Sequence, residues 1–333
     1  MGIDFKKMRS PNKKIYKELW EGIKLPGPVQ KTWYKNGKNS RESDNSYIFE
    51  VDSVDRRDIK EGDEKALRNG IKKIFKLNSV EDLETKFHSA CFGKGHEYKE
   101  ILRLHSSSLC PFLIFSFISS TNPLELKLDN KKYIFTKVYF EYENLVIDVD
   151  HPSCVDIVLV SKDNKVILFL ESKFSEYLSS GDVSISPSYK EKYPKIFNKD
   201  FLDNFDFELR KDNKIGIKEG TAYSEGIKQM LSHYIGLENY ISNKLCDKRK
   251  LPDKAKIYLG EILFDFKCAK DEFNNYTTIY SKMASSLNNL NSGKIHVLKE
   301  PLKYSLFAKD DCSYKLSENV KQFYFGKLKT ISN

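Results

Sequence analysis

The chain has 333 residues, of which 40% are hydrophobic and 13% aromatic. This content supports the core of one large domain or two ordinary ones and argues against a disordered protein. The formal net charge is +9, and residues 1–41 hold +8 of it, with eleven basic and three acidic side chains. A basic excess at one end favours a polyanionic partner, nucleic acid above all, although a solvated basic arm gives the same pattern.

The cysteines and the apolar runs indicate the cellular compartment. The six cysteines are scattered without metal-ligand spacing, so we expect buried free thiols rather than a zinc site. The N-terminus lacks the apolar segment of a signal peptide, and the longest apolar run, residues 109–118, is too short to cross a bilayer. We therefore expect a soluble, cytoplasmic protein with no membrane partner.

Hydrophobic periodicity predicts the elements in chain order. Residues 1–90 are expected to form a basic, mainly helical extension with a short strand in YIFEV. The elements expected after it are a helix from residue 93 into the buried run 109–118, three strands (131–147, 154–160, 165–174), a polar insertion (175–220), an amphipathic helix (222–241), a strand (255–266), a helix (271–290) and two final strand pieces. This order predicts an α/β domain over residues 91–333, with a mixed central sheet flanked by helices.

The stretch PSCVDIVLVSKDNKVILFLESKF is mostly aliphatic, yet it contains two carboxylates and an ammonium among residues that favour burial. Asp163 and Asn164 tolerate the positive φ that a two-residue hairpin turn requires. If they form the turn, Asp156 lies directly opposite Glu171, and Lys173 points to the same face of the sheet. A shift of one residue in this register would separate the two carboxylates.

Two opposed carboxylates in a poorly solvated site resist joint ionisation, because each raises the cost of charging the other. A hard divalent cation such as Mg²⁺ relieves this conflict by binding carboxylate oxygens. Beside such an ion, Lys173 can orient a water molecule or stabilise charge on a phosphate. The structural alternative is a buried salt bridge between Lys173 and one carboxylate.

The pattern Asp156, a hairpin, then Glu171-Ser172-Lys173 resembles the PD-(D/E)XK nuclease superfamily, and the predicted element order resembles its αβββαβ, restriction-endonuclease-like core. The resemblance implies that Asp156, Glu171 and the Ser172 backbone carbonyl bind the metal, and that Lys173 positions or activates the attacking water. The proline of the family pattern is displaced, because Pro152 lies four residues before Asp156.

The resemblance implies two further site residues. Members of this family often add an acidic residue from the first core helix, for which Glu97 is the first candidate and Glu100 the second. Glu141 and Glu143, on the first strand, are weaker candidates. Gln229 matches a glutamine on the helix after the motif in some members, although a solvent-facing polar stripe explains that position equally well.

The function implied is an Mg²⁺-dependent endonuclease of restriction or phage-defence type, with Mn²⁺ able to substitute. Its expected partner is double-stranded DNA, and a homodimer is plausible for cutting both strands. The aromatic and basic residues Lys31, Trp33, Tyr34 and Lys35 are candidates for nucleic-acid contacts, unless they belong to the core. An RNA-cleaving or structure-specific nuclease and a non-catalytic binding module on the same fold remain the alternatives.

Overall fold

The computed structural model gives twelve strands and six α-helices with described bounds, together with further helical positions among the single residues described before residue 106. These residues are 106–145, 152–179, 181–219, 223–242, 251–252, 254–290, 293–309, 311–326 and 328–331, the strands at 31–34 and 46–49, and residues 15, 18, 19, 71, 72, 75, 77 and 85–87. The strands are β1 Lys31–Tyr34, β2 Ser46–Phe49, β3 Leu124–Leu128, β4 Lys131–Leu145, β5 Pro152–Ser161, β6 Val166–Lys173, β7 Val183–Ser184, β8 Phe207–Arg210, β9 Lys214–Ile217, β10 Lys256–Leu263, β11 Ile295–Val297 and β12 Leu302–Lys303. The helices are α1 Leu109–Phe115, α2 Pro187–Lys192, α3 Lys199–Asp203, α4 Ser224–Ile241, α5 Lys270–Leu290 and α6 Glu318–Phe325.

A mixed sheet forms the centre of the protein. Its strands lie in the order β11-β10-β6-β5-β4-β3, and β12 also pairs with β10. Strands β3 to β6 form an antiparallel meander, whereas β10 runs parallel to β6 and to β11. The predicted mixed sheet is therefore confirmed. Its central strand β6 is buried at all eight positions, as expected for a strand covered on both faces.

Helices cover both faces of this sheet. Gln229 of α4 bonds Lys173 on one face. Ser172, the neighbour of Lys173, points to the other face, where its hydroxyl lies 3.3 Å from the carbonyl oxygen of Ser107, just before α1. The described part of the first predicted helix is α1, all of whose residues are buried; residues 93–105 lie outside the described part of the chain.

The polar insertion predicted for residues 175–220 has structure of its own. Strands β7, β9 and β8 form a separate antiparallel sheet, in that order. The insertion thus lies between β6 and α4 along the chain without interrupting the central sheet.

The N-terminal extension contains a strand pair as well as helical positions. Strands β1 and β2 pair antiparallel, with Lys31 opposite Phe49. The short strand predicted in YIFEV is confirmed in its first part by β2, whereas β1, in KTWYK, was not predicted.

The cysteine and membrane predictions are met in part. Cys110, Cys154, Cys268 and Cys312 are free thiols, as expected, but only Cys110 of these four is buried; Cys154 and Cys312 are half-buried and Cys268 is exposed. Cys91 and Cys246 lie outside the described residues. Within the described ranges, no helix combines the length and the apolar character needed to cross a bilayer.

Candidate active site

The β5–β6 hairpin has the predicted register. Ile157 pairs with Leu170, and the pairing continues to Val160 with Ile167. One further step along the same register places Asp156 at the level of Glu171, so the carboxylates belong to neighbouring strands on one face.

The turn differs from the predicted two-residue turn. Asn164 has a φ of 57° and donates its backbone N–H to the Ser161 carbonyl oxygen at 2.9 Å, but Asp163 is not among the described residues with positive φ. Lys162 donates its backbone N–H to Ile134 of β4 at 2.7 Å. Because this bond holds Lys162 against β4, the hairpin closes with a longer loop. The loop spans residues 162–165 and so takes one residue from each strand, which leaves the register unchanged.

Glu171 is the centre of a buried hydrogen-bonded cluster. Its side chain is 3% exposed, with one oxygen 2.6 Å from Lys173 Nζ and the other 2.9 Å from His233 Nε2. Lys173 also donates to Gln229 Oε1 at 2.7 Å. The backbone N–H of Ser172 donates to Asp156 Oδ2 at 2.7 Å. The structure thus brings Gln229 to Lys173, while Lys173 and Glu171 form the ion pair of the structural alternative.

Burial and neighbouring charges shift the pKa values of Asp156 and Glu171 in opposite directions. Burial raises the pKa of Asp156 well above its usual value, and the charge of Glu171 raises it further. Burial opposes ionisation of Glu171 as well, but Lys173 and His233 outweigh it and lower its pKa to about 2. Burial also disfavours the charged form of Lys173, yet Glu171, Tyr223 and Asp156 raise its pKa. Glu171 and Lys173 are therefore a charged pair, and Asp156 is harder to ionise than Glu171.

Carboxylates occupy the same level on four adjacent strands. Glu261 of β10 is the direct partner of Glu171 in the parallel register. On β4, the pairs flanking Glu141 (Phe140 with Ile157, Tyr142 with Val155) place it at the level of Asp156. We call Glu141, Asp156, Glu171 and Glu261 the acidic row. The acidic row lies at the end of the hairpin distant from the turn, next to strand segments that are mostly apolar.

Glu261 is fully buried within this row. The Tyr276 hydroxyl of α5 lies 2.8 and 2.9 Å from its two carboxyl oxygens. Burial raises the pKa of Glu261 to about 8, against the opposing effects of Lys173 and Tyr276. Glu261 is therefore largely protonated at neutral pH.

Glu141 has an unusual backbone. Its φ is 48°, which a side chain with a Cβ seldom adopts, and its side chain is buried. A strained, buried carboxylate next to a charged cluster is a feature of functional sites. Among the described candidates for an additional acidic residue, Glu141 lies on the acidic row, whereas Glu143 is exposed and lies opposite Cys154.

The remaining predicted site residues fall outside what the structure describes. Glu97, Glu100 and Lys35 lie outside the described residues. Lys31, Trp33 and Tyr34 belong to β1, of which the backbone alone is described. Their predicted roles stay predictions.

Sequence reasoning missed two members of the cluster. Glu261, like Glu171, is a carboxylate within an apolar strand segment, and this pattern could have identified it. The segment AKIYLGEILFDF was interpreted only as a strand. His233 lies one helical turn after Gln229, on the same polar stripe of the helix. The sequence alone did not decide whether this stripe faces the site or solvent. It is 1% exposed, so this part of the stripe faces the core.

The predicted metal ligands fit a hard cation in type but not in their present contacts. Asp156 and Glu171 supply the oxygens that Mg²⁺ prefers. Both oxygens of Glu171 are engaged by Lys173 and His233. Within the described part of the chain, no three His, Cys, Asp or Glu side chains are grouped to hold a metal ion. A cation bound by Glu171 would therefore share its carboxylate oxygens with Lys173 and His233.

Known proteins offer no further guide to the site. Comparisons with family models, curated proteins and solved structures find no match to this chain. The site must therefore be interpreted from its geometry.

Proposed function

We propose that the chain is a metal-dependent nuclease that hydrolyses DNA phosphodiester bonds, on a restriction-endonuclease-like core. The observation that carries the proposal is the convergence of Asp156, Glu171, Lys173 and Gln229 at one end of the hairpin. The order α1, meander, α4 and parallel β10 supports the same core. We infer that the enzyme is an endonuclease of restriction or phage-defence type, acting in the cytoplasm on double-stranded DNA.

The chemistry follows from the charges of the cluster. Asp156, Glu171 and the Ser172 carbonyl would hold Mg²⁺, which lowers the pKa of a bound water and polarises the phosphate. Glu171 and Gln229 hold the Lys173 ammonium at one place on the sheet. From there Lys173 can donate to the attacking water or to the oxygens that gain negative charge.

Cleavage assays on the full chain test this proposal. Labelled duplex DNA, single-stranded DNA and RNA are incubated with Mg²⁺, Mn²⁺ or EDTA. We expect duplex cleavage that needs the metal and falls at least about a hundredfold in Lys173→Met and Asp156→Asn. Lys299→Met, which changes an exposed lysine, should cleave like wild type.

The other outcomes separate the alternatives. Cleavage of RNA alone would assign the site to an RNA nuclease, and metal-independent DNA binding without cleavage would indicate a non-catalytic module. Cleavage that persists in Lys173→Met would refute the mechanism. Light scattering with and without duplex tests whether the chain forms a homodimer.

A second candidate function comes from a hydrogen-bonded chain in the same cluster. Ser153 Oγ lies 2.7 Å from His233 Nδ1, and His233 Nε2 lies 2.9 Å from Glu171. If Nε2–H donates to Glu171, Nδ1 can accept the serine proton, as a nucleophilic serine requires. Ser153 is partly exposed, so a serine-dependent hydrolase is the second candidate.

A covalent probe distinguishes the two functions. A fluorophosphonate should label the serine hydrolase at Ser153 but not the nuclease. Ser153→Ala should leave metal-dependent cleavage within about threefold of wild type if the nuclease proposal holds. Labelling that disappears in Ser153→Ala would favour the second function.

A further inference from the structure

The edge of the sheet opposite the acidic row is rich in lysine. It comprises the β3–β4 turn, the β5–β6 turn and the first residues of β10 and β11. We call its nine lysines the basic edge: Lys127, Lys131, Lys132, Lys137, Lys162, Lys165, Lys254, Lys256 and Lys294. The same segments contain three described carboxylates, those of Glu125, Asp129 and Asp163. Positive charge therefore dominates this edge, although residues 42–333 together carry only +1 of the net charge of +9.

Backbone pairing and side-chain contacts hold these lysines together. Lys127 is the direct cross-strand partner of Lys132. Lys256 donates its backbone N–H to the Lys165 carbonyl oxygen at 2.8 Å, and its ammonium lies 3.7 Å from Asp129 of the β3–β4 turn. The turns of two hairpins and the start of β10 therefore meet at one surface.

The charges on this edge are only partly neutralised from within the protein. Lys132 has a partner in Glu125 at 2.5 Å but keeps 68% of its side chain exposed. Asp163 accepts hydrogen bonds from Ser161 Oγ at 2.7 Å and from the Lys165 backbone N–H at 3.1 Å, so both of these contacts lie within its own turn. Like charges directly opposite each other in a sheet are destabilising. An external polyanion would relieve the repulsion between Lys127 and Lys132.

We propose that the basic edge binds the phosphate backbone of duplex nucleic acid, as a contact surface separate from the acidic row. The lysines of these segments form one extended surface of positive charge, because the β3–β4 turn reaches β10 through the contact between Asp129 and Lys256. Such a surface suits the closely spaced phosphates of a duplex better than a single anionic group. Its cations are all lysine, which offers hydrated point charges rather than the bidentate recognition of arginine, so binding is expected to be independent of sequence.

The distance between the two surfaces makes them distinct. Val166 begins β6 at the basic edge, and Glu171 lies five residues further on. At about 3.3 Å per residue, this separation is about 17 Å along the strand. A duplex on the basic edge therefore needs neither Asp156 nor Lys173 to bind. That the duplex is DNA rests on the proposed function, whereas the phosphate contact does not.

Binding in EDTA tests the basic edge apart from cleavage. Anisotropy with a labelled 20-base-pair DNA duplex, and in parallel an RNA duplex, gives the affinity of the full chain across a salt series. The variant carries Lys→Gln at four exposed positions (Lys127, Lys131, Lys132, Lys165). We expect its affinity to fall at least about tenfold and its salt slope to fall by about 0.9 for each phosphate that the variant no longer neutralises.

A matched variant controls for net charge. It carries Lys→Gln at four exposed positions elsewhere (Lys195, Lys211, Lys214, Lys299), and its affinity should change less than threefold. Equal weakening by both variants, or an unchanged salt slope, would overturn the proposal, as would binding of polyglutamate but not of either duplex. Tighter binding of one duplex type identifies the nucleic acid. Because affinity is measured in EDTA, where metal-dependent cleavage does not run, a defect in cleavage and a defect in this phosphate binding are separable.

Discussion

Replacing Glu261 by Gln should make the protein more stable at neutral and mildly alkaline pH. The pKa of Glu261 rises from an ordinary 4.5 to about 8 in the folded protein, chiefly through burial. A carboxyl whose pKa is raised on folding contributes its stability below pH 4.5 and loses it as the pH rises towards 8. Glutamine has a similar shape and does not titrate, so it removes this loss.

The expected magnitude follows from the two pKa values. At about 1.4 kcal/mol per pH unit, wild type should lose about 3 to 4 kcal/mol more stability between pH 5 and pH 8 than Glu261→Gln does. A difference of this size is measurable, because the total free energy of unfolding of a protein is about 5–15 kcal/mol. The Tyr276 hydroxyl remains in place to donate to the glutamine carbonyl oxygen, so the variant keeps this hydrogen bond.

Urea unfolding at pH 5, 6, 7 and 8, followed by circular dichroism in EDTA, measures this difference. Other titrating groups cancel when variant and wild type are compared at each pH. Ser285→Ala, a neutral change at an exposed site, should give a difference that does not change with pH. A difference for Glu261→Gln that is equally flat would refute the inference that Glu261 is buried and protonated.

Three other substitutions test the cluster and its support. Gln229→Leu removes an acceptor from Lys173 and should lower single-turnover DNA cleavage about 10- to 100-fold, with binding in EDTA unchanged. His233→Ala leaves a buried oxygen of Glu171 without its donor and should lower the free energy of unfolding by about 1–3 kcal/mol in urea. Gly226→Ala adds a Cβ that would meet the Tyr276 hydroxyl, so it should cost about 1–3 kcal/mol in the same assay.

One control serves both stability measurements. Ser285→Ala, at an exposed position of α5, should stay within about 0.5 kcal/mol of wild type. A Gly226 variant as stable as this control would show that α4 and α5 do not approach closely there. A His233 variant of unchanged stability would contradict its bond to Glu171, and unaltered cleavage in Gln229→Leu would remove Gln229 from the site.

The sequence by itself determined the hairpin and the charges that it aligns. Strand periodicity is two, and the turn lies midway between Asp156 and Glu171, so pairing of these residues follows from local rules. The loop is longer than the predicted turn, yet the register is the predicted one, because the loop takes one residue from each strand. The mixed sheet with helices on both faces was predictable for the same kind of reason, because apolar runs and their order were visible along the chain.

Only the tertiary structure decided what surrounds the pair. Glu261 joins the acidic row because β10 lies parallel to β6 in one register, across about ninety residues of intervening chain. No local pattern fixes such a register, since it depends on how α4, α5 and the strands pack together. The same packing turns His233 towards Glu171, and it brings the turns of two hairpins to the basic edge. Sequence periodicity assigns a side chain to a face, whereas its partner on another element is set by the packing of the whole core.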